Sequence, residues 1–196
     1  MMNTRGHPGI RRGTLGNVAD EVIRSSSVPV SVLSLTAIDK DSESDYQPST
    51  LTIPLAWSSL AKSILPFAHH LAKQLSIGIH LLRVGSLRSL AYYAGEGVAV
   101  DIPPVEEELQ EETTAYLYSV THRLTAQAAA PAASTVMTSF PALTTNGHLR
   151  ETSQNLVAIC THGCSGVGRF MMGSVADTII RSTKVPLLVY AAHTEE

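Results

Sequence analysis

Between Leu51 and the C-terminus, apolar residues alternate between short continuous runs and longer stretches in which they recur at helical spacing. Short runs of this kind suit buried strands, and the longer periodic ones suit amphipathic helices. Leu51 to Leu55 is predicted as a strand ending near Pro54. Ser58 and Ser59 then stand as N-caps for a helix from Leu60 to Leu75. Ile77 to Val84 reads as a second buried strand, with Gly78 as a weak point inside it. Pro103 and Pro104 precede Glu106, Glu107 and Glu108, whose charges suit the first turn of a helix running to about Ala126.

Alanine and proline from Ala126 to Ala133 interrupt that pattern before a modest strand, Ser134 to Thr138. Pro141 to Thr152 predicts a poor helix, because Thr144, Thr145, Asn146 and Gly147 all disfavour one. A strand from Leu156 to Cys160, a helix within Val167 to Ser182 and a final strand from Val185 to Tyr190 complete the series, Pro186 suiting a strand start or a sheet edge. Strands that alternate with helices imply an α/β fold, with right-handed crossovers and an open parallel sheet. Ligands of such sheets bind beyond the carboxyl ends of the strands.

The chain also repeats itself. Asn3 to Leu33 aligns without a gap on Cys160 to Tyr190, and the identities include Gly6, Gly9 and Gly16, Arg12, Asp20, Arg24 and the Val28–Pro29 step. Two unrelated amphipathic helices would share apolar positions, but not three glycines, an arginine and a Val–Pro step in register. The expected organisation is therefore residues 1–33 as the C-terminal remnant of a first unit, 34–49 as an exposed polar and acidic linker, and 50–193 as a complete second unit.

Composition narrows the function. Apolar residues make up 44 % of the chain and charged residues 16 %, enough to bury a core and too little charge for wholesale disorder. A net charge of −3 leaves no broad basic face for a nucleic-acid backbone. Arg5, Arg11 and Arg12 are not followed by an apolar stretch of signal-peptide length, and no run is long enough to cross a bilayer. Cys160 and Cys164 are no disulfide framework, so a soluble cytoplasmic protein is expected.

Candidate chemistry sits after the strand ending at Cys160. Gly163, Gly166, Gly168 and Gly173 precede Ser174 at a helix start, and glycines there let backbone N–H groups approach an anion. Taken alone, such a loop fits a plain strand-to-helix turn equally well. The segment THGCSGVGRFMMGSVADTIIRSTKVPLLVY resembles the C-terminal signature of universal stress proteins, whose nucleotide-binding members carry G-x2-G-x9-G-[ST]. Here Gly163, nine intervening residues, Gly173 and Ser174 supply the second glycine onward, while Cys160 stands at the first. LTIPLAWSSLAKSILPFAHHLAKQLSIGIHLLRV is similar to the opening of the same family, and the likeness is weakest between Gly85 and Asn155.

The resemblance implies a five-stranded parallel sheet with helices on both faces, of the adenine nucleotide alpha hydrolase-like type. It also implies an ATP or related adenine nucleotide site. Val84 would offer backbone contacts to adenine. Pro54, Leu55 and Ala56 would line the nucleoside, and His162, Gly163, Gly173, Ser174 and Val175 would surround the phosphates. ATP-binding members carry Asp where this chain has Ala56, and Trp57 replaces a small residue. Weak binding is expected, since a lost charged hydrogen bond costs about 1.5–3 kcal/mol.

Cys160, His162 and Cys164 read as a buried thiol and loop residues, so no metal is expected beyond Mg accompanying a nucleotide. His69 and His70 read as one interfacial and one exposed helix residue, and Asp177 with Arg181 as a solvated ion pair. No Ser-His-Asp set or carboxylate pair stands out, so a non-enzymatic stress-response module is expected. Its rivals are a nucleotide-free pairing domain and a slow ATPase. Family members pair through the final strand, which implies self-association or intramolecular pairing. In this chain Val28 to Leu33 is expected against Val185 to Tyr190, covering an otherwise adhesive edge.

Overall fold

A computed structural model of the chain describes residues 2–3, 16–33, 46–56, 59–85, 102–127, 131–138, 141–151, 155–162, 174–183 and 185–192. Five parallel strands form the body of the sheet: β3 (Thr50–Pro54), β4 (Gly78–Gly85), β5 (Ala132–Thr138), β6 (Asn155–His162) and β7 (Leu187–Ala192). Two more precede them, β1 (Met2–Asn3) and β2 (Val30–Leu33), and the spatial order is β1-β2-β7-β6-β3-β4-β5. The sheet is thus larger than the five strands expected. Among the described residues it has six strands of four or more residues, and the two-residue β1 makes a seventh.

The extra strands enter through the repeat. β2 lies antiparallel on β7, pairing Val30 with Val189, Ser31 with Leu188 and Val32 with Leu187. β1 runs parallel to β2, pairing Met2 with Val32 and Asn3 with Leu33. That register reproduces β6 on β7, where Ile159 pairs with Val189 and Cys160 with Tyr190, because the repeat places Met2 on Ile159, Asn3 on Cys160, Val32 on Val189 and Leu33 on Tyr190. The antiparallel pair is itself symmetric under the repeat, which exchanges Val30–Val189 with Val32–Leu187 about a central Ser31–Leu188 pair. Similar sequence has produced similar strand pairing on both sides of a pseudo-twofold axis.

Helices cover both faces. On one face Ile64, α3 (Leu65–Leu75) and α4 (Ile102–Gln127) bury Ala68, Ala72, Leu117, Val120 and Leu124 against Leu51, Ile53, Ile79, Leu81 and Ala158. On the other, α1 (Asn17–Ser25), α5 (Pro141–Glu151) and α6 (Ser174–Ser182) bury Ala19, Ile23, Leu149, Ile179 and Ile180 against Val32, Val157, Ile159, Leu187 and Val189. Successive strand residues point to opposite faces, so odd and even positions of β6 and β7 divide between the two cores.

The expected helix Leu60 to Leu75 is divided into α2 (Ser59–Lys62) and α3, with Ser63 and Ile64 in a turn. Pro66 lies in the first turn of α3, where its missing N–H costs nothing, but it cannot donate to the preceding turn and so ends one helix while starting the next. α3 closes on Ser76 in the left-handed region, φ 56°, its N–H bonded to the Ala72 and Lys73 carbonyls. The unfavourable sequence of α5 folds as a full helix because Thr145, Asn146 and Leu149 are buried, and Asn146 Nδ2 donates to Ser182 Oγ on α6 at 2.7 Å. Tertiary packing overrides propensity here. Tyr46 ties the segment before β3 to the sheet by donating its hydroxyl to the Asn155 carbonyl.

Candidate functional site

All five strands of the body run in the same direction, so their carboxyl ends share one edge of the sheet. The chain passes from β3 to β4 and β5 on one side, then returns to β6 and β7 on the other, which puts the change of direction between β3 and β6. A crevice opens at such a point because the two crossovers leave it toward opposite faces.

Seven of the nine residues expected at a nucleotide site are placed along that edge. Pro54 ends β3 opposite Leu82, and Leu55 continues it with its N–H donating to the Leu82 carbonyl at 2.9 Å. Ala56 follows and is exposed, offering no side-chain donor or acceptor. Val84 is half-buried near the end of β4, opposite Met137 of β5. His162 ends β6 opposite Ala192, and Val175 lies in the first turn of α6, packed on the core. Ser174 is the first residue of that helix. Gly163 and Gly173, like Trp57 and Cys164, lie outside the described residues. The strand ends and the start of α6 are therefore brought to one edge, with Val84 reached across the β3–β4 pairing.

Two residues at this edge were not singled out by the sequence pattern. Thr161 in β6 is 2 % exposed, and its hydroxyl has no hydrogen-bond partner among the described residues. It shares the parity of Val157 and Ile159, so it belongs to the α6 side of the sheet. A buried hydroxyl without a partner costs about 1–3 kcal/mol, and one standing where a ligand is expected offers a ready donor. Arg83 of β4 donates from Nη1 to the Leu55 carbonyl at 3.2 Å, which ties the ends of β3 and β4 together. Burial lowers its pKa, with the Tyr116 phenol acting in the opposite direction.

Cys160 occupies the first glycine position of the nucleotide motif, yet its side chain packs into the core beneath α3, on the face opposite to that of Thr161. Burial pushes its thiol up to about 11, against a smaller downward effect of a hydrogen bond with the Ala192 backbone. The thiol is thus protonated at neutral pH and inert as a nucleophile. Arg181 Nε meets Asp177 Oδ1 at 2.7 Å on α6, and Arg24 meets Asp20 Oδ2 at 2.7 Å at the repeated positions of α1. Such pairs contribute about 0.3–0.5 kcal/mol. Among the described residues no group of three or more His, Cys, Asp or Glu side chains could hold a metal ion. No described helix is long and apolar enough to cross a membrane. His69 is half-buried and His70 exposed.

Below the edge, His80 Nε2 lies 2.9 Å from Thr135 Oγ1, and the His80 and His148 rings are 5.3 Å apart, linking β4 to α5. Burial, and then the charge of His148, lower the His80 pKa below its ordinary value of 6.5. A histidine with a depressed native pKa binds fewer protons folded than unfolded, so stability is complete above the unfolded value and falls as pH drops through it toward the native one. Denaturant melts between pH 7.5 and 5 are expected to show this loss, reduced in His148→Gln. A flat profile would mean that the pair adds no penalty.

Residues 50–191 match the universal stress protein family model. Among solved structures, a universal stress protein from Archaeoglobus fulgidus DSM 4304 superposes with a TM-score of 0.67 at 18 % identity, covering 96 % of this chain and 60 % of that one. The universal stress protein UspA from Lactobacillus plantarum gives 0.59 at 13 % identity over 74 % of this chain and 99 % of its own. A universal stress protein in complex with cAMP gives 0.52 at 15 % identity, over 76 % and 99 %. At such identities the likeness speaks for the fold. This chain spans only 60 % of the Archaeoglobus protein. No curated protein matches the sequence.

Proposed function

The chain belongs to the universal stress protein family, and from that membership we propose that it is a cytoplasmic, non-enzymatic stress-response module that binds ATP or a related adenine nucleotide weakly. The nucleotide would lie across the carboxyl ends of β3 and β6, with its phosphates toward the start of α6. In this reading the N-terminal α1 and β2 are the remnant of a first unit, and their pairing with β7 reproduces a tandem arrangement within one chain. The carrying observation is the buried Thr161 hydroxyl, unpartnered among the described residues, at the sheet edge where α6 begins. Helix N-termini favour anions, and the cAMP complex of a structural neighbour supports an adenine nucleotide as the ligand class.

A nucleotide-free pairing domain is the second reading. Exposed Ala56, which cannot replace a carboxylate, favours it. Calorimetric titration of the full chain with ATP and with cAMP separates the two. The proposed function expects saturable heat with Kd between about 1 µM and 1 mM. Thr161→Val should weaken it by about two- to tenfold, the worth of one neutral hydrogen bond. Gly173→Asp, which sets a carboxylate against phosphate, should abolish it. Absence of saturable heat up to millimolar ligand leaves the pairing domain as the function. Release of phosphate from ATP would contradict the non-enzymatic part.

A further inference from the structure

The repeat allows the environment of α1 to be compared position by position with that of α6. Val22 corresponds to Ile179, and Val18 to Val175. Ile179 is 0 % exposed, packed among Leu149 of α5 and Val157 and Ile159 of β6, and Val175 packs against the same core. Val22 is 39 % exposed and Val18 74 %. The opposite stripe of α1 is satisfied, since Ala19 and Ile23 are buried in the core shared with β7. One side of this helix has therefore kept its apolar residues at positions that are solvent-facing here and covered in the other copy.

The strand beside it is incomplete in the same sense. β1 repeats Ile159–Cys160 of β6, including the parallel register on the next strand, and is the last strand on that side among the described residues. In the C-terminal unit the equivalent position has β3 beyond it and α5 over it. The second copy thus states what covers such a surface: a parallel strand, and an amphipathic helix whose apolar side meets the valine stripe.

We propose that the outer face of α1 at Val18 and Val22, with the edge of β1 left unpaired among the described residues, is a docking surface for a strand-and-helix segment of the α5–β6 kind. Main-chain pairing along β1 would orient the incoming strand, and its helix would close over the two valines, as Leu149 closes over Ile179. The inference rests on the repeat and is independent of nucleotide binding.

The test uses the full chain, methyl-labelled at valine, isoleucine and leucine, and a synthetic peptide of residues 141–162, the segment that covers the corresponding face of α6. Titration is expected to shift the Val18 and Val22 methyl resonances saturably while leaving Ile179 unmoved. Val22→Asp, at a solvent-facing position, should weaken the interaction at least tenfold with the melting temperature unchanged. Three outcomes would overturn the proposal: no shift up to millimolar peptide, shifts insensitive to Val22→Asp, or shifts that follow chain concentration alone. The last would make the face a contact between copies of this chain.

Discussion

A chain lacking residues 1–33 is expected to melt at lower temperature when dilute and to associate through β7 when concentrated. In the intact protein β2 occupies the main-chain hydrogen-bonding edge of β7, and Ile23 and Val32 are each 1 % exposed in the core they share with Leu187 and Val189. Each such side chain contributes about 1.5–3 kcal/mol when fully buried, so removal of the pair forfeits about 3–6 kcal/mol, before the uncovered surface of β7 is considered. The uncovered edge then offers unpaired N–H and C=O groups beside apolar residues, the condition that drives strand addition. A second β7 can replace β2 in the same register, because the native pairing is already symmetric about Ser31 and Leu188. Light scattering should give a dimer mass for the shortened chain, with a melting temperature that rises with concentration. A monodisperse monomer with unchanged melting would show that β2 adds nothing to the sheet.

The repeat alone makes this arrangement legible in the sequence. Glycines, Asp20, Arg24 and the Val28–Pro29 step in register specify a helix followed by a strand, and the strand can be stable only against another edge. Local chemistry carried the remaining elements nearly as well, since β3, β4 and β6 are short segments rich in apolar and β-branched residues with few competing readings. It failed where packing outweighs propensity. α5 contains threonines, an asparagine and a glycine, and what makes it helical is its burial against β6 and α6, including the Asn146–Ser182 hydrogen bond. The division of α2 from α3 was written in Pro66, but the apolar period on both sides masked it.

The candidate site divides in the same way. Strand ends can be ordered from the alternation of elements, so the grouping of Pro54, Val84, His162 and Ser174 along one edge follows from topology. Thr161 could not be found in that manner. A threonine inside a strand is unremarkable until its burial and the absence of a partner among the described residues are known, and both depend on neighbours far away in sequence. The same holds for Cys160. It stands at the motif's first glycine and reads as a buried thiol from the sequence, but only strand parity shows that its side chain enters the core opposite to the Thr161 face.

Substitutions at Ile179 and Val22 are expected to have very unequal costs, although the repeat places them at the same position. Ile179→Ala removes a side chain that is 0 % exposed from the centre of the α5–α6–β6 core. Truncation at such sites costs about 2–5 kcal/mol, combining lost transfer free energy with the residual cavity. Val22→Ala alters a residue that is 39 % exposed, and changes of that kind stay within about 0.5 kcal/mol. Denaturant midpoints at constant slope measure both directly. Equal costs would mean that Val22 is covered in solution and that the difference between the two environments is not real. The Ile179 variant also bears on binding, because Ile179 anchors the helix whose first turn holds Ser174 and Val175. A looser α6 holds its N-terminal amides less firmly, and the ordering that a nucleotide must then impose is subtracted from its affinity. On the proposed nucleotide-binding reading, ATP is therefore expected to bind Ile179→Ala more weakly than the intact chain even under conditions where both remain folded, while Val22→Ala leaves affinity unaltered.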